Sequence, residues 1–210
     1  MGKHENRGLA PIARTRPGEG ALIDIARRTS LSPDGSNITA VEVDLSSAPV
    51  PERRFLADTA WVDYRAGLVR LMFGQQRVDR GDLRALVVLC FTIEDLRHFL
   101  GTSKALVENL KAYLGNSSTP TEELEPVTAE PPQAVSMFAN IMAVAYAANQ
   151  ASIDFYHASA WALHQLRNAQ NLKLALEPMV RVILTSSLLF ALLGKLEAVQ
   201  SQFSIETKVA

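Results

Sequence analysis

A nucleophilic active site needs a serine or cysteine beside a histidine base and an orienting acid. The chain has four histidines: His4, His98, His157 and His164. No G-x-S-x-G elbow accompanies them, and the chain carries neither a Walker loop nor a G-x-G-x-x-G fingerprint. The single cysteine, Cys90, sits in the apolar stretch Ala85–Phe91 and reads as a small core residue rather than a reactive thiolate. One cysteine also excludes a disulfide framework and a cysteine-based zinc site. The only grouping with metal-ligand character is Asp154, His157 and His164, which would meet if DFYHASAWALHQL turned back on itself. A sheet edge running into a surface loop accounts for the same residues. No catalytic residue, metal or cofactor is therefore expected. A small enzyme or metal-dependent protein using the Asp154/His157/His164 region is kept as the alternative.

Nucleic-acid binding needs clustered cations. Lys3, Arg7, Arg14 and Arg16 lie in the first 20 residues, diluted by Glu5 and Glu19. Arg27-Arg28 and Arg53-Arg54 are isolated pairs. Arg65, Arg70, Arg77, Arg80 and Arg84 are countered by Asp58, Asp63, Asp79 and Asp82, as on any solvated surface. A nucleic-acid-associated protein acting through the basic arm is the second alternative, and the solvated tail is preferred.

Composition sets the frame for these residues. The 210 residues are 48% hydrophobic and 20% charged with a net charge of −1, enough apolar material for a packed core and too little positive charge for a polyanion binder. No apolar stretch approaches the roughly 18 to 20 residues of a membrane helix. The first residues lack the apolar core of a signal peptide. A cytoplasmic chain with no membrane partner is the expectation.

Several elements must position whatever the protein binds. Residues 1–37 read as a mobile basic arm, with Ala21–Arg28 as a short helix stopped at Ser32-Pro33-Asp34-Gly35. From Ile38 to Leu45 apolar and acidic residues alternate, the pattern of a half-buried strand. Residues 116–134 hold four prolines and four glutamates without a lysine or arginine, an extended linker. Units 38–115 and 135–210 flank it. Thr92 with Asp95 resembles a capping box, and Leu96, Phe99, Leu100, Leu106 and Val107 then keep three-four spacing. Thr185 or Ser186 opens a second such helix, with Leu189, Leu192, Leu193 and Leu196 in its stripe.

The two units align without gaps over two windows. Phe55–Gln75 lies on Met137–His157, matching Ala57 with Ala139, Tyr64 with Tyr146, and Phe73 with Phe155. Val87–Leu110 lies on Val180–Phe203, matching Thr92 with Thr185 and Gly101 with Gly194. A glycine inside a helix costs about 1 kcal/mol against alanine, so its recurrence predicts close approach of each helix to a neighbouring backbone. Ala85–Phe91 and much of Met179–Leu184 are apolar on both faces, so both faces of each sheet are expected to be covered.

The second unit carries Ala139-Asn140, Val144, Ile153-Asp154-Phe155 and Arg181-Val182-Ile183-Leu184-Thr185 ahead of a leucine-rich helix. It resembles a small bacterial domain family of uncharacterised function with the pattern A-N-x3-V, L-D-F, then R-V-x-L-S-P. Ser186 and Ile93 stand where that pattern has proline, and Met72 and Gly74 depart from the first L-D-F. The family is in turn similar to the SecB-type export chaperone. The resemblance implies an α+β fold of two tandem units, each an antiparallel sheet of three to four strands followed by a long amphipathic helix. It also implies work by binding: a non-catalytic, chaperone-like or adaptor module that takes an unfolded client or a complex subunit on apolar sheet surfaces. The expected binding or oligomer face comprises Trp61, Tyr64, Leu71, Phe73, Val88, Cys90, Tyr146 and Phe155. Because a helix covers one side of a sheet only, an even-numbered homo-oligomer is expected to cover the rest.

Overall fold

A computed structural model describes residues 21–31, 37–43, 45–76, 83–114, 134–163 and 173–206. The basic arm before residue 21, the Ser32–Gly35 turn, His164 and almost all of the Pro/Glu segment lie outside the described residues. The fold is α+β with mixed sheets. Its strands are β1 (Ala21–Leu31), β2 (Asn37–Val43), β3 (Arg54–Leu56), β4 (Thr59–Arg65), β5 (Leu68–Gln76), β6 (Leu83–Thr92), β7 (Val135–Phe138), β8 (Ile141–Ala147), β9 (Gln150–His157) and β10 (Lys173–Thr185). The long helices are α1 (Ile93–Leu114) and α2 (Ser186–Glu206), and residues 160–163 are also helical. No helix among the described residues is long and apolar enough to cross a membrane.

One sheet runs β4-β5-β6-β7 and the other β2-β1-β10-β9-β8, with β3 added to β10. The hairpins β4–β5 and β8–β9 turn through Ala66 and Ala148, which adopt φ of 53° and 51°. The sheets are mixed where purely antiparallel ones were expected, because β7 pairs parallel with β6 and β3 pairs parallel with β10. Each of these short strands comes from the other half of the chain. Phe55 of β3 sits opposite Val182, and Met137 of β7 sits opposite Leu89. Just beyond them, the Ala57 N–H donates to the Ile183 carbonyl and the Ala139 N–H to the Cys90 carbonyl.

The segment Ala21–Arg28 is a strand, not the expected helix. Ala21–Asp24 pairs antiparallel with Lys173–Leu176, and Ile25–Leu31 pairs with β2. The reason is pairing with distant segments, which supplies the ladder along its length. Ile23, 1% exposed, is buried beside Leu174 and Leu176, while Leu22 is 65% exposed. The next expected strand holds as β2 but stops at Val43, and Leu45–Ser47 forms a 3-10 turn.

A single large core joins both sheets and both helices. Val69, Leu71 and Phe73, Val87, Leu89 and Phe91, Ile153 and Phe155, and Val180, Val182 and Leu184 all point into it. Leu96, Phe99, Leu100 and Val107 of α1 and Leu189, Leu192, Leu193 and Leu196 of α2 close it, as their spacing predicts. The helices pack on each other, and α2 lies against β4 while α1 touches β8. The caps are as expected: the Asp95 N–H donates to Thr92 Oγ1 (3.2 Å) while the Thr92 N–H donates to Asp95 Oδ2 (3.1 Å). In α2 it is Thr185 that caps, accepting from the Leu188 N–H at 3.2 Å. Ser186 instead ties α2 to the β8–β9 turn, donating from Oγ to the Ala148 carbonyl.

The helix glycines do not mark close approach. Gly101 and Gly194 both face solvent, and a Cβ added to either meets nothing within 4 Å. Gly101→Ala and Gly194→Ala are therefore expected to stabilise the fold by about 0.5–1 kcal/mol each, read as a raised chemical-denaturation midpoint with unchanged slope. The constrained glycine is Gly74, where β5 meets a bulge in β6: a Cβ would lie 2.6 Å from the Arg84 carbonyl oxygen and 3.0 Å from the Trp61 ring.

Candidate functional site

Each sheet has an outer face turned away from the shared core. On the first sheet Trp61, Met72 and Val88 form a separate apolar cluster, with Cys90 half-buried beside it. On the second sheet, Tyr156, Leu174, Leu176 and Ile23 pack with Ala158 and Ala162 of the segment that follows β9. Next to that cluster the face becomes polar. Asp154 and Arg181, paired across β9 and β10, make two hydrogen bonds of 2.6 Å, from Nε to Oδ1 and from Nη2 to Oδ2. Tyr156 Oη approaches Asp154 Oδ2 at 3.5 Å.

Burial first, and the Asp154 charge second, push the Tyr156 phenol up from 10.0 to about 12. The hydrogen bond to Asp154 is the chief cause that raises Arg181 above its ordinary value. For a phenol whose folded value is raised, the folded state holds the proton that the unfolded chain releases. Stability is then fully present below pH 10 and falls between pH 10 and 12, by up to about 1.4 kcal/mol per pH unit. Tyr156→Phe is expected to remove that component, so denaturation midpoints of variant and wild type should converge as the pH rises through this window.

The eight residues expected to form one face are divided by the fold. Leu71, Phe73 and Phe155 lie inside the shared core. Trp61 and Val88 face outward but are buried in their own cluster, and Cys90 lies at its margin. Tyr64 and Tyr146 occupy matching positions near the hairpin turns, Tyr64 exposed and Tyr146 half-buried against the core. The Asp154/His157 grouping does not come together. Residues three apart on a strand point to opposite faces, and the Asp154 carboxylate is already taken by Arg181. Among the described residues no group of three metal-ligating side chains occurs.

Two features have no counterpart in the sequence pattern. Leu56 at the end of β3 is 61% exposed and Phe138 at the end of β7 is 48% exposed. Both sit on the last strand of their sheet among the described residues. Their exposure depends on which strands are edges, which no local pattern reveals. The Asp154–Arg181 pair did leave a signal, a lone charge inside each of the apolar runs SIDFY and MVRVIL. The Asp58 and Asn140 side chains play equivalent parts, since Asp58 Oδ1 accepts from the Gln76 N–H at 2.9 Å and Asn140 Oδ1 accepts from the Ala158 N–H at 2.9 Å. The Asn140 of the Ala-Asn step is therefore a backbone clamp, its Nδ2 also donating to the Ala158 carbonyl at 2.7 Å. No protein-family model, no curated protein and no solved structure matches the chain.

Proposed function

We propose that the chain is a non-catalytic protein-binding module, built from two SecB-like units that exchange an edge strand, which takes extended or partly folded polypeptide at β3 and β7. The observation that carries the reading is the pair Leu56 and Phe138, exposed large apolar side chains on strands whose far side pairs with no further strand among the described residues. On β3 the Leu56 carbonyl there accepts only the Gln75 Nε2–H, at 2.8 Å, which an added strand would displace. Proteins ordinarily blunt such edges with charge or cover them. An added strand gains its affinity from backbone hydrogen bonds and its selectivity from alternate side chains.

Duplication is supported by register. Aligned positions pair alike in the two halves: Phe73 with Val87 and Phe155 with Val180, Leu71 with Leu89 and Ile153 with Val182. The β5–β6 and β9–β10 ladders also shift at aligned points, beside Leu86 and Met179. Two copies within one chain bury their inner faces against each other, as identical subunits would about a two-fold axis. That leaves the edges for a partner, which favours an adaptor over a holdase with a broad groove. A second copy of the chain, giving an even-numbered oligomer, would use the same edges.

The test is suppression of aggregation of an unfolded test protein, with light scattering of the chain alone. A holdase suppresses near stoichiometric amounts, whereas an adaptor does not and instead retains one defined partner. The double variant Leu56→Asp/Phe138→Asp should lose client or partner binding with little change in unfolding midpoint, because exposed sites typically shift stability by no more than about 0.5 kcal/mol. Undiminished binding by this variant would sink the reading.

A further inference from the structure

We infer that the outer face of the second sheet, beside β3, is a site for the carboxylate of an acidic side chain carried by an extended polypeptide. The inference rests on β3 being a binding edge, and adds to it the chemistry of what binds.

Phe55 packs on the shared core, so Arg54 and Leu56 point to the outer face of β3. The parallel register sets Arg54 beside Arg181 and Leu56 beside Ile183. Two guanidinium groups therefore rise from neighbouring strands on the same side of the sheet, an arrangement that costs energy unless anions balance it. Among the described residues one anion does: Asp154 engages Arg181 through two of its nitrogens. Arg54 is exposed and has no ion-pair or hydrogen-bond partner among the described residues. A groove of about 250 Å3 opens over this part of the sheet, with both arginines, Ser152 and Gln150 around it and the small residues Ala145 and Ala147 leaving it unfilled. Among the described residues no acidic side chain lines it. Two cations with one carboxylate behind them leave a net charge of +1, which one further carboxylate neutralises.

The first sheet lacks this site. There the aligned outward positions are Ser136 beside Val88 and Phe138 beside Cys90. The two edges thus differ in what they accept, and only β3 adds a charge requirement to an apolar one. On a strand laid along β3, residues two apart share a face. Its acidic residue would stand near Arg54 and a large apolar residue near Leu56, so the ligand class is an extended segment with an acid and an apolar residue two positions apart.

The experiment measures fluorescence anisotropy of a labelled extended peptide with Glu two residues from Leu, against the same peptide with Gln for Glu. Both are titrated with the full chain and with Arg54→Gln. The expected result is a roughly threefold to tenfold preference for the Glu peptide in the wild type, shrinking towards unity in Arg54→Gln and at high salt. Equal binding of both peptides, unchanged in Arg54→Gln, overturns the carboxylate site and leaves the edge reading standing. Binding of neither peptide overturns both. Displacement of the Glu peptide by inorganic phosphate, at constant ionic strength and comparable concentration, would mark a site for small free anions and overturn the assignment to an acidic segment.

Discussion

Phe155→Ala is expected to remove about 3–5 kcal/mol of unfolding free energy. Phe155 is fully buried, with its ring centroid 5.8 Å from that of Phe73 and 5.9 Å from that of Phe91. Phe73 and Phe91 belong to the first sheet and Phe155 to the second, so this ring is where the sheets meet. Tilted aromatic pairs add roughly 0.5–1.5 kcal/mol each to the cost of lost burial, and the surrounding Val, Leu and Ile side chains are held by two sheets and cannot collapse freely into the void. The loss should be global. Circular dichroism and tryptophan fluorescence are expected to report one coincident transition, shifted to lower denaturant without splitting. A biphasic curve, with one half melting before the other, would contradict a shared core.

The shared core explains which parts of the fold could be read from the sequence. The helices, their caps and the two apolar strands β6 and β10 carry local signals: a three-four stripe, a threonine with its N3 acid, a run of β-branched residues. All of these are found. What the sequence hid depends on pairing between distant segments. Strand β1 is held by the first residues of β10, and nothing in ALIDIARR announces that partner. Strands β3 and β7 are only three and four residues long and are defined by the opposite half of the chain, so their edge position, and with it the exposure of Leu56 and Phe138, had no local signature.

The glycine expectation failed for a different reason. Residue 101 lies off the very stripe formed by Leu96, Leu100 and Val107 that predicted the helix, and its solvent exposure was readable from that phase. The binding face was read too broadly on similar grounds. Apolar residues on alternate positions of one strand serve two separate interiors, so Val87 and Leu89 join the shared core while Val88 joins Trp61 and Met72. Periodicity establishes that both faces are covered and says nothing about what covers them.

That distinction decides the expected behaviour of Val88→Glu. In the lone chain Val88 is 0% exposed, and Trp61 and Met72 beside it are 2% exposed. No second subunit is needed to shield this cluster. A carboxylate placed there loses its water among Trp61 and Met72, and Arg70, on the same face, already carries an ion pair with Asp63 at 2.6 Å. The cost is expected to be roughly 3–5 kcal/mol at neutral pH. Val88→Ala, which loses volume without adding charge, should cost about 2 kcal/mol or less. Protonation neutralises the buried acid, so the deficit of Val88→Glu relative to Val88→Ala should shrink as the pH falls towards the unfolded Glu value near 4. Protein concentration provides the second discriminator. If the cluster is internal, the lowered midpoint of Val88→Glu is the same at low and high concentration. If this face were instead a contact between copies, the wild-type midpoint would rise with concentration and the variant would stay folded but lose that dependence. The burial of all three side chains within one chain makes the concentration-independent loss the expected result.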